Sequence, residues 1–290
     1  MSDATQTELG AVASIWRYPV KSMMGEELHA TRVWDRGLLG DRLCALRESS
    51  DGKVATAKNP RKWPNLFAFR ASFIEPSDGS VKVSAVRITL PDGAVVTGEQ
   101  SDLNQVLSKA LNREVTLVAA ESGHSPGTQS SVPASWTAKA EEYWPDIDGL
   151  DYRDTVTDFA LPTGTFFDCA TLHLLTTATL DRLGQFYPQG RFEVQRFRPN
   201  IVVRPAGGEP TFAENSWIGH TLAIGDEVRL SITGPCSRCV MTTLAQGDLP
   251  VDNGILRAAV QHNRTNVGVY AAVVRGGRIR RGDRVRLSAE

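Results

Sequence analysis

Two cysteines and an arginine lie within four positions of one another in the C-terminal third of the chain. Cys236, Arg238 and Cys239 stand in residues 234–243, a run that holds two of the four cysteines of the protein. A cysteine acts as a nucleophile or a soft metal ligand in its thiolate form, and a fixed cation such as Arg238 lowers the pKa of a neighbouring thiol. The run is therefore a candidate reactive centre.

Several chemistries are open for this cysteine pair. A Cys-x-x-Cys redox couple usually opens a helix, whereas strand-like residues flank the pair on both sides. A structural zinc ion needs four Cys or His ligands, usually as two close pairs; this run supplies one pair, and the five histidines are scattered singly. Simple buried packing and a single thiolate ligand also remain open.

A second donor-rich pattern surrounds Pro199. The proline predicts extended backbone just before the apolar strand at 200–204, so Arg198 and Asn200 are expected to project to the same side. A guanidinium and an amide on one side favour an anionic ligand rich in heteroatoms. A surface salt bridge is the alternative.

Composition limits the classes of partner. The 290 residues carry a net charge of −1, which argues against a surface built for nucleic acid. The cations comprise 25 Arg and 7 Lys, which indicates either an arginine-lined anion pocket or a bias of composition. Four unevenly spaced cysteines predict a reducing compartment. The N-terminus has no signal-peptide pattern and no stretch is long enough to span a bilayer, so we expect a cytoplasmic protein with no membrane partner.

Alternating apolar residues and tight turns predict a chain rich in strands with few, short helices. Residues 121–154 are expected to form a loop-rich crossing between two halves. Strands are predicted at 12–16, 28–33, 41–46, 67–73, 81–90, 94–97, 166–175, 200–204, 221–224, 227–233 and 267–274, and helices at 103–111, 178–186 and 254–261.

A short internal repeat supports a closed sheet. The segment GDEVRLS at 225–231 recurs as GDRVRLS at 282–288, and each copy is a turn leading into an alternating strand. The two copies are interpreted as equivalent edge strands of one barrel. The predicted fold class is mostly β with some α: a β-barrel domain at 121–290 and a smaller β-rich N-terminal domain at 1–120, whose first strands can complete the site of the second domain.

Four separated motifs occur in an order that resembles the MOSC (molybdenum cofactor sulfurase C-terminal) family. They are YPVKS at 18–22, GDR at 40–42, FRPNIVV at 197–203 and CSRCV at 236–240. The chain is most similar to the branch with an N-terminal MOSC β-barrel domain, which includes the mitochondrial amidoxime-reducing component. The resemblance spans nearly the whole chain.

The resemblance implies a pyranopterin molybdenum cofactor, with Cys239 as the protein ligand to molybdenum. A thiolate suits that soft, sulfur-rich ligand set. The resemblance also leaves Cys236 as a neighbouring thiol or a packing residue. By the same resemblance the cofactor-binding residues are Lys21, Ser22, Arg42, Cys169, Ala170, Arg198, Asn200, Ser237 and Tyr270, together with Cys239.

The resemblance further implies a molybdenum-dependent reductase that abstracts oxygen from N-hydroxylated substrates. Each turnover consumes two electrons and two protons and releases water. Beyond the run at 234–243 the sequence contains no further cysteine cluster for an iron–sulfur centre, so a separate electron-donor protein of the reductase, ferredoxin or cytochrome type is expected. The alternatives are sulfur transfer to the cofactor, or carriage of the cofactor without catalysis.

Overall fold

The computed structural model describes residues 7–74, 85–120 and 135–288. The strands are β1 Glu8–Arg17, β2 Glu26–Leu28, β3 Ala30–Trp34, β4 Gly37–Leu38, β5 Cys44–Glu48, β6 Arg70–Phe73, β7 Val86–Thr89, β8 Val95–Thr97, β9 Val115–Ala119, β10 Lys139–Trp144, β11 Thr155–Ala160, β12 Leu172–Thr176, β13 Ile201–Pro205, β14 Thr221–Ile224, β15 Val228–Ser237, β16 Asn266–Arg275, β17 Gly277–Arg280 and β18 Arg284–Leu287. The α-helices are α1 Leu103–Leu111, α2 Thr177–Phe186, α3 Val194–Phe197 and α4 Asn253–Asn263, and short 3₁₀ helices span Leu66–Ala68, Ala213–Trp217 and Val240–Thr243.

Seven strands close into a β-barrel. They pair in the cyclic order β13, β12, β16, β15, β14, β18, β1 and back to β13, with β2 added beside β1. Because β1 pairs with β13 on one side and β18 on the other, a strand from the start of the chain completes a barrel built from its second half. The mostly β, barrel-containing fold predicted from the sequence is confirmed. The domain boundary at 120 stays a prediction.

Alternating apolar residues of these strands fill the barrel. Ile15, Ile201, Leu230, Val269 and Val285 all lie in one buried cluster inside it. Burying side chains of this kind stabilises a fold by roughly 1.5–3 kcal/mol each, measured against an exposed side chain. The barrel is therefore a packed core, and polar chemistry must lie at its ends.

The N-terminal half packs around a second core. It contains the β5–β9 pair, the β6–β7–β8 sheet and helix α1. Leu103 and Leu107 of α1 are buried in this core, as the helical spacing predicts. Asn112 ends the helix in the left-handed conformation (φ 51°), which asparagine tolerates well. Met241 packs into this same core, and Cys239 contacts it, so the cysteine run lies where the two halves meet.

The two copies of the repeat occupy equivalent places, but they are not edges. The first copy opens β15 and the second forms β18, and both pair with β14, one on each side. The interpretation as edge strands is wrong because the barrel closes: β15 also pairs with β16, and β18 also pairs with β1.

The predicted loop-rich crossing at 121–154 contains a strand that the sequence analysis missed. Residues 121–134 lie outside the described ranges. Strand β10 pairs antiparallel with β11 over six residue pairs, from Lys139↔Ala160 to Trp144↔Thr155. The alternation is hidden because Glu142 takes a buried position, where it forms an ion pair with Lys58 at 3.3 Å.

Other boundaries shift without changing the architecture. The strand predicted at 166–175 begins only at Leu172, and residues 81–84 of the strand predicted at 81–90 are outside the described ranges. Residues 240–243, which resembled a strand, form a 3₁₀ turn. In the three described ranges, every helix is too short or too polar to cross a membrane.

Candidate functional site

One end of the barrel carries a cleft, the inner cleft, into which loops from both halves project. Strand β1 ends here and strands β12 and β13 begin here, as their parallel and antiparallel pairings require, and strands β15 and β16 contribute Ser237 and Tyr270 to the cleft. All ten residues predicted for the cofactor site line this cleft: Lys21, Ser22, Arg42, Cys169, Ala170, Arg198, Asn200, Ser237, Cys239 and Tyr270. The structure thus brings together residues up to 249 positions apart, counted from Lys21 to Tyr270.

The two cysteines of the run differ in access. Cys236 lies within β15 and is 1% exposed, whereas Cys239 follows the end of that strand and is half-buried. The 3₁₀ turn begins directly after Cys239, and the Thr242 hydroxyl donates to the Cys239 carbonyl oxygen at 3.0 Å. Cys239 therefore presents the accessible thiol of the pair.

The arginine of the run pairs with the other cysteine. Arg238 donates from Nη1 to Cys236 Sγ at 2.7 Å and from Nη2 to the Phe197 carbonyl at 2.8 Å. Burial raises the pKa of Cys236, but Arg238 and His173 outweigh it and hold that pKa well below its usual range. Burial raises the pKa of Cys239 to about 11, with Lys58 opposing the shift. Arg238 thus stabilises the buried thiolate.

Arg198 and Asn200 line the cleft by a route that the sequence did not predict. Arg198 is not extended: it ends α3 in the left-handed conformation (φ 53°), with its N–H donating to the Val194 carbonyl. Its Nη1 donates to the Met23 carbonyl at 2.7 Å, and Asn200 Nδ2 donates to Asp41 Oδ2 at 2.9 Å. Both side chains are fixed by these contacts.

Three cation-bearing or polar residues of the cleft share an uncommon backbone conformation. Ser22, Arg42 and Arg198 have φ values of 62°, 46° and 53°. Non-glycine residues rarely adopt this region, and such strain persists where the surroundings enforce it, often at functional sites. The strand predicted at 41–46 begins instead at Cys44, and Arg42 lies in the turn before it.

Buried cations crowd the cleft. Lys21 Nζ donates to the Phe166 carbonyl at 3.0 Å and forms an ion pair with Asp168. Burial lowers the pKa of Lys21, with Asp168 opposing the shift. Burial, together with the nearby Arg42 cation, lowers the pKa of Arg198 to about 10. Burial and mutual repulsion disfavour the charged forms of these side chains, so an anion bound beside them would be strongly stabilised.

The remaining predicted residues lie on the other walls. Cys169 is exposed and Ala170 half-buried in the turn before β12. Ser237 Oγ donates to Asn266 Oδ1 at 3.0 Å, and Tyr270 reaches the cleft from β16. A Cβ on nearby Gly268 (φ 86°) would lie 2.1 Å from His173 Nε2, so only glycine permits this close approach of β16 to β12.

Two charged residues of the cleft, Lys58 and Asp168, were not predicted as site residues from the sequence. Lys58 Nζ lies 3.3 Å from Glu142 Oε2 and 3.8 Å from Asp168 Oδ2. Partial burial raises the pKa of Asp168, but Lys21 and Lys58 outweigh it and lower that pKa overall. Lys58 reaches the site from a loop with no motif around it, so spacing carried no signal for it.

The donor set suits a phosphate-bearing cofactor with a soft metal. Five cations line the inner cleft against one carboxylate, Asp168; the cations are Lys21, Arg42, Lys58, Arg198 and Arg238. The buried Arg238 Nε makes no hydrogen bond to any residue that the structure describes. Guanidinium and ammonium groups bind phosphate through charge-assisted hydrogen bonds. Within the described ranges no group of three or more His, Cys, Asp and Glu side chains could hold a metal.

A second cavity, the outer cleft, opens beside the first. It shares six lining residues with the inner cleft: Lys58, Cys169, Ser237, Arg238, Cys239 and Tyr270. The inner cleft encloses about 100 Å³ and the outer cleft about 680 Å³. Cys239 therefore stands on the wall between a narrow charged slot and a roomier chamber.

The barrel, the N-terminal strand that completes it and the cysteine at its cationic end define a MOSC-type protein. The family models for the MOSC N-terminal beta barrel domain and the MOSC domain match residues 9–130 and 162–286. The chain belongs to the MOSC family, whose relatives are associated with the molybdenum cofactor.

Two curated relatives are similar to this chain at low identity. The chain is 23% identical to mitochondrial amidoxime reducing component 2 of Rattus norvegicus over 82% of this chain and 67% of that protein. It is 25% identical to mitochondrial amidoxime-reducing component 1 of Mus musculus over 82% of this chain and 66% of that protein. It thus spans about two thirds of the length of these relatives. The crystal structure of the YuaD protein from Bacillus subtilis is similar with a TM-score of 0.46 and 12% identity, covering 97% of each chain.

Proposed function

We propose that this protein is a molybdenum-cofactor-dependent reductase of N-hydroxylated compounds. The observation that carries the proposal is the position of Cys239, an accessible thiol on the edge of a slot lined by five cations. The amidoxime reducing relatives supply the reaction class. Cys239 ligates the metal, and Lys21, Arg42, Arg198 and Arg238 hold the anionic part of the cofactor.

When bound, the cofactor would supply the two-electron redox chemistry for cleavage of the N–O bond of the substrate. The N–O bond breaks, two electrons come from a separate donor protein, two protons come from solvent, and the oxygen leaves as water. Asn200 and the backbone turns at Ser22 and Arg42 fix the slot before binding, so little ordering remains to be done when the cofactor enters.

The buried pair of Arg238 and Cys236 has a separate role in this proposal. The thiolate neutralises part of the Arg238 charge and keeps its guanidinium aimed at the cleft. Truncating one partner of a buried ion pair leaves the other uncompensated. Cys236 is thus more than a packing residue, although it does not ligate the metal.

The test is a reductase assay on protein from a host that makes the cofactor, with dithionite-reduced methyl viologen as the electron donor and benzamidoxime as the substrate. Turnover that needs bound molybdenum and is lost in Cys239→Ser supports the proposal. Stoichiometric molybdenum without turnover of benzamidoxime, acetamidoxime or hydroxylamine would contradict it and favour a cofactor carrier.

A further inference from the structure

The outer cleft has a wall that does not come from the barrel. The β10–β11 hairpin contributes Glu142 and Trp144, and its connecting loop contributes Leu150 and Asp151. These residues lie in 131–161, between the segments matched by the two family models. The hairpin therefore forms one side of the chamber from sequence that neither domain model includes.

Ion pairs hold this hairpin against the N-terminal half. Lys53 Nζ lies 2.8 Å from Glu141 Oε1 and 2.7 Å from Asp158 Oδ1, one carboxylate from each strand. In the connecting loop a Cβ on Gly149 (φ 90°) would lie 2.7 Å from Val260 Cγ1, so the loop approaches α4 closely. The wall is fixed in place at both ends.

Trp144 is held in one orientation on this wall. Its Nε1 donates to Thr157 Oγ1 at 2.9 Å, and its ring meets Tyr152 edge-on with centroids 6.0 Å apart. Tyr270 adds a second aromatic ring to the chamber from the barrel side. Flat conjugated molecules bind favourably against oriented aromatic rings.

The charged side chains on the wall that the two clefts share already have partners. Lys58 pairs with Glu142 and Arg238 with Cys236, whereas Asp151 and Arg264 are exposed. A charged ligand that reached past Asp151 and Arg264 to these side chains would have to break one of the pairs, which is costly. An uncharged ligand avoids that cost.

We propose that the outer cleft is the substrate chamber and that Trp144 makes it selective for uncharged N-hydroxylated compounds with a flat, conjugated body. This inference rests on the proposed reductase function, because it uses the same reacting centre at Cys239. Trp144 contacts the conjugated body of the substrate and so determines specificity. The N–O group lies against the wall that the two clefts share, which carries Cys239.

The experiment compares benzamidoxime with acetamidoxime, which share the reacting group and differ in the aromatic ring. In Trp144→Ala we expect kcat/KM for benzamidoxime to fall about tenfold through KM, and that for acetamidoxime to change less than twofold. Trp144→Phe restores most of the loss. Tyr143→Ala is the matched control, because adjacent residues of a strand face opposite sides and Tyr143 bonds to Arg61 and Asp154 instead.

A binding measurement separates this inference from the reductase proposal. Saturation-transfer NMR follows benzamidoxime on the purified protein with no electron donor present, so no turnover occurs. We expect the wild type to bind it and Trp144→Ala to bind it about tenfold more weakly. Binding that depends on Trp144 without any turnover supports the chamber and contradicts the reductase. Turnover with unchanged selectivity and binding in Trp144→Ala overturns the chamber alone, and a wild type with neither binding nor turnover overturns both.

Discussion

The inner and outer clefts meet at Cys239 but are built on different principles. The inner cleft is narrow and cationic, and its side chains are fixed by buried hydrogen bonds to the backbone, as Arg198 is to the Met23 carbonyl. The outer cleft is roomier and partly aromatic, and its hairpin wall is held by half-exposed ion pairs. This difference indicates that the inner cleft holds one group rigidly. The hairpin wall of the outer cleft can change without disturbing that group.

The largest expected effect separates the two cysteines. Cys239→Ser should abolish turnover, and molybdenum K-edge absorption should show one sulfur ligand fewer. Cys236→Ser should retain molybdenum and its full sulfur count, because the buried thiol pairs with Arg238. A sulfur ligand lost in Cys236→Ser and retained in Cys239→Ser would mean that Cys236 is the metal ligand.

Arg196 and Arg198 lie two residues apart and are expected to have different roles, one in folding stability and one in cofactor binding. Arg196 donates four hydrogen bonds, to the carbonyls of Arg191, Thr242, Leu244 and Pro250. Arg196→Met should lower the free energy of unfolding by about 3 kcal/mol or more. Arg198→Met should instead lower pterin retention after desalting at least about tenfold.

Thermal unfolding of the same two variants checks this contrast. Arg198→Met should unfold at a temperature closer to wild type than Arg196→Met does, because it also relieves repulsion with Arg42. Equal pterin loss and equal destabilisation in both variants would show that Arg198 acts only as scaffold.

The pairing of Cys236 with Arg238 predicts a pH dependence of stability in the cofactor-free protein. Arg238 and His173 lower the pKa of Cys236 in the folded state against the effect of burial. The resulting stabilisation is complete above the thiol pKa of the unfolded chain and is lost as pH falls through the lowered pKa. Denaturant titrations should show wild type and Cys236→Ser converging on acidification. A gap that is constant with pH would indicate a protonated, merely packed thiol.

The smallest effect is expected at the hairpin anchor. Lys53 is partly exposed, and ion pairs in such positions contribute within about 1 kcal/mol. Lys53→Met should therefore lower the unfolding midpoint slightly and leave pterin content unchanged. Differential scanning calorimetry and pterin fluorescence measure the two quantities, and a loss of pterin would mean that the outer wall supports the inner slot.

The sequence predicts the structure correctly where local pattern decides it. Helix α1 and the hairpin of β7 and β8 follow from spacing and turn residues, and the four motifs contain seven of the ten predicted residues that line one cleft. Prediction from the sequence failed where partners are distant along the chain. From the sequence alone Glu142 is expected to be a solvated charge, but it pairs with Lys58, 84 residues away. Strand β10 was missed for this reason.

The backbone at Arg198 shows a second kind of failure. A residue before proline normally avoids helical conformations, yet Arg198 adopts the left-handed one because its N–H caps α3 at Val194. Tertiary packing of Phe197 into the cluster of α2 and α4 holds that short helix in place. No local pattern records such a constraint.

The central claim is that the cation-lined slot and Cys239 hold a molybdenum cofactor. The most direct test is to measure molybdenum by mass spectrometry and pterin by fluorescence on wild-type protein from a host that synthesises the cofactor. The account predicts about one molybdenum and one pterin per chain. Protein that purifies with neither, or with pterin-free metal, would contradict it.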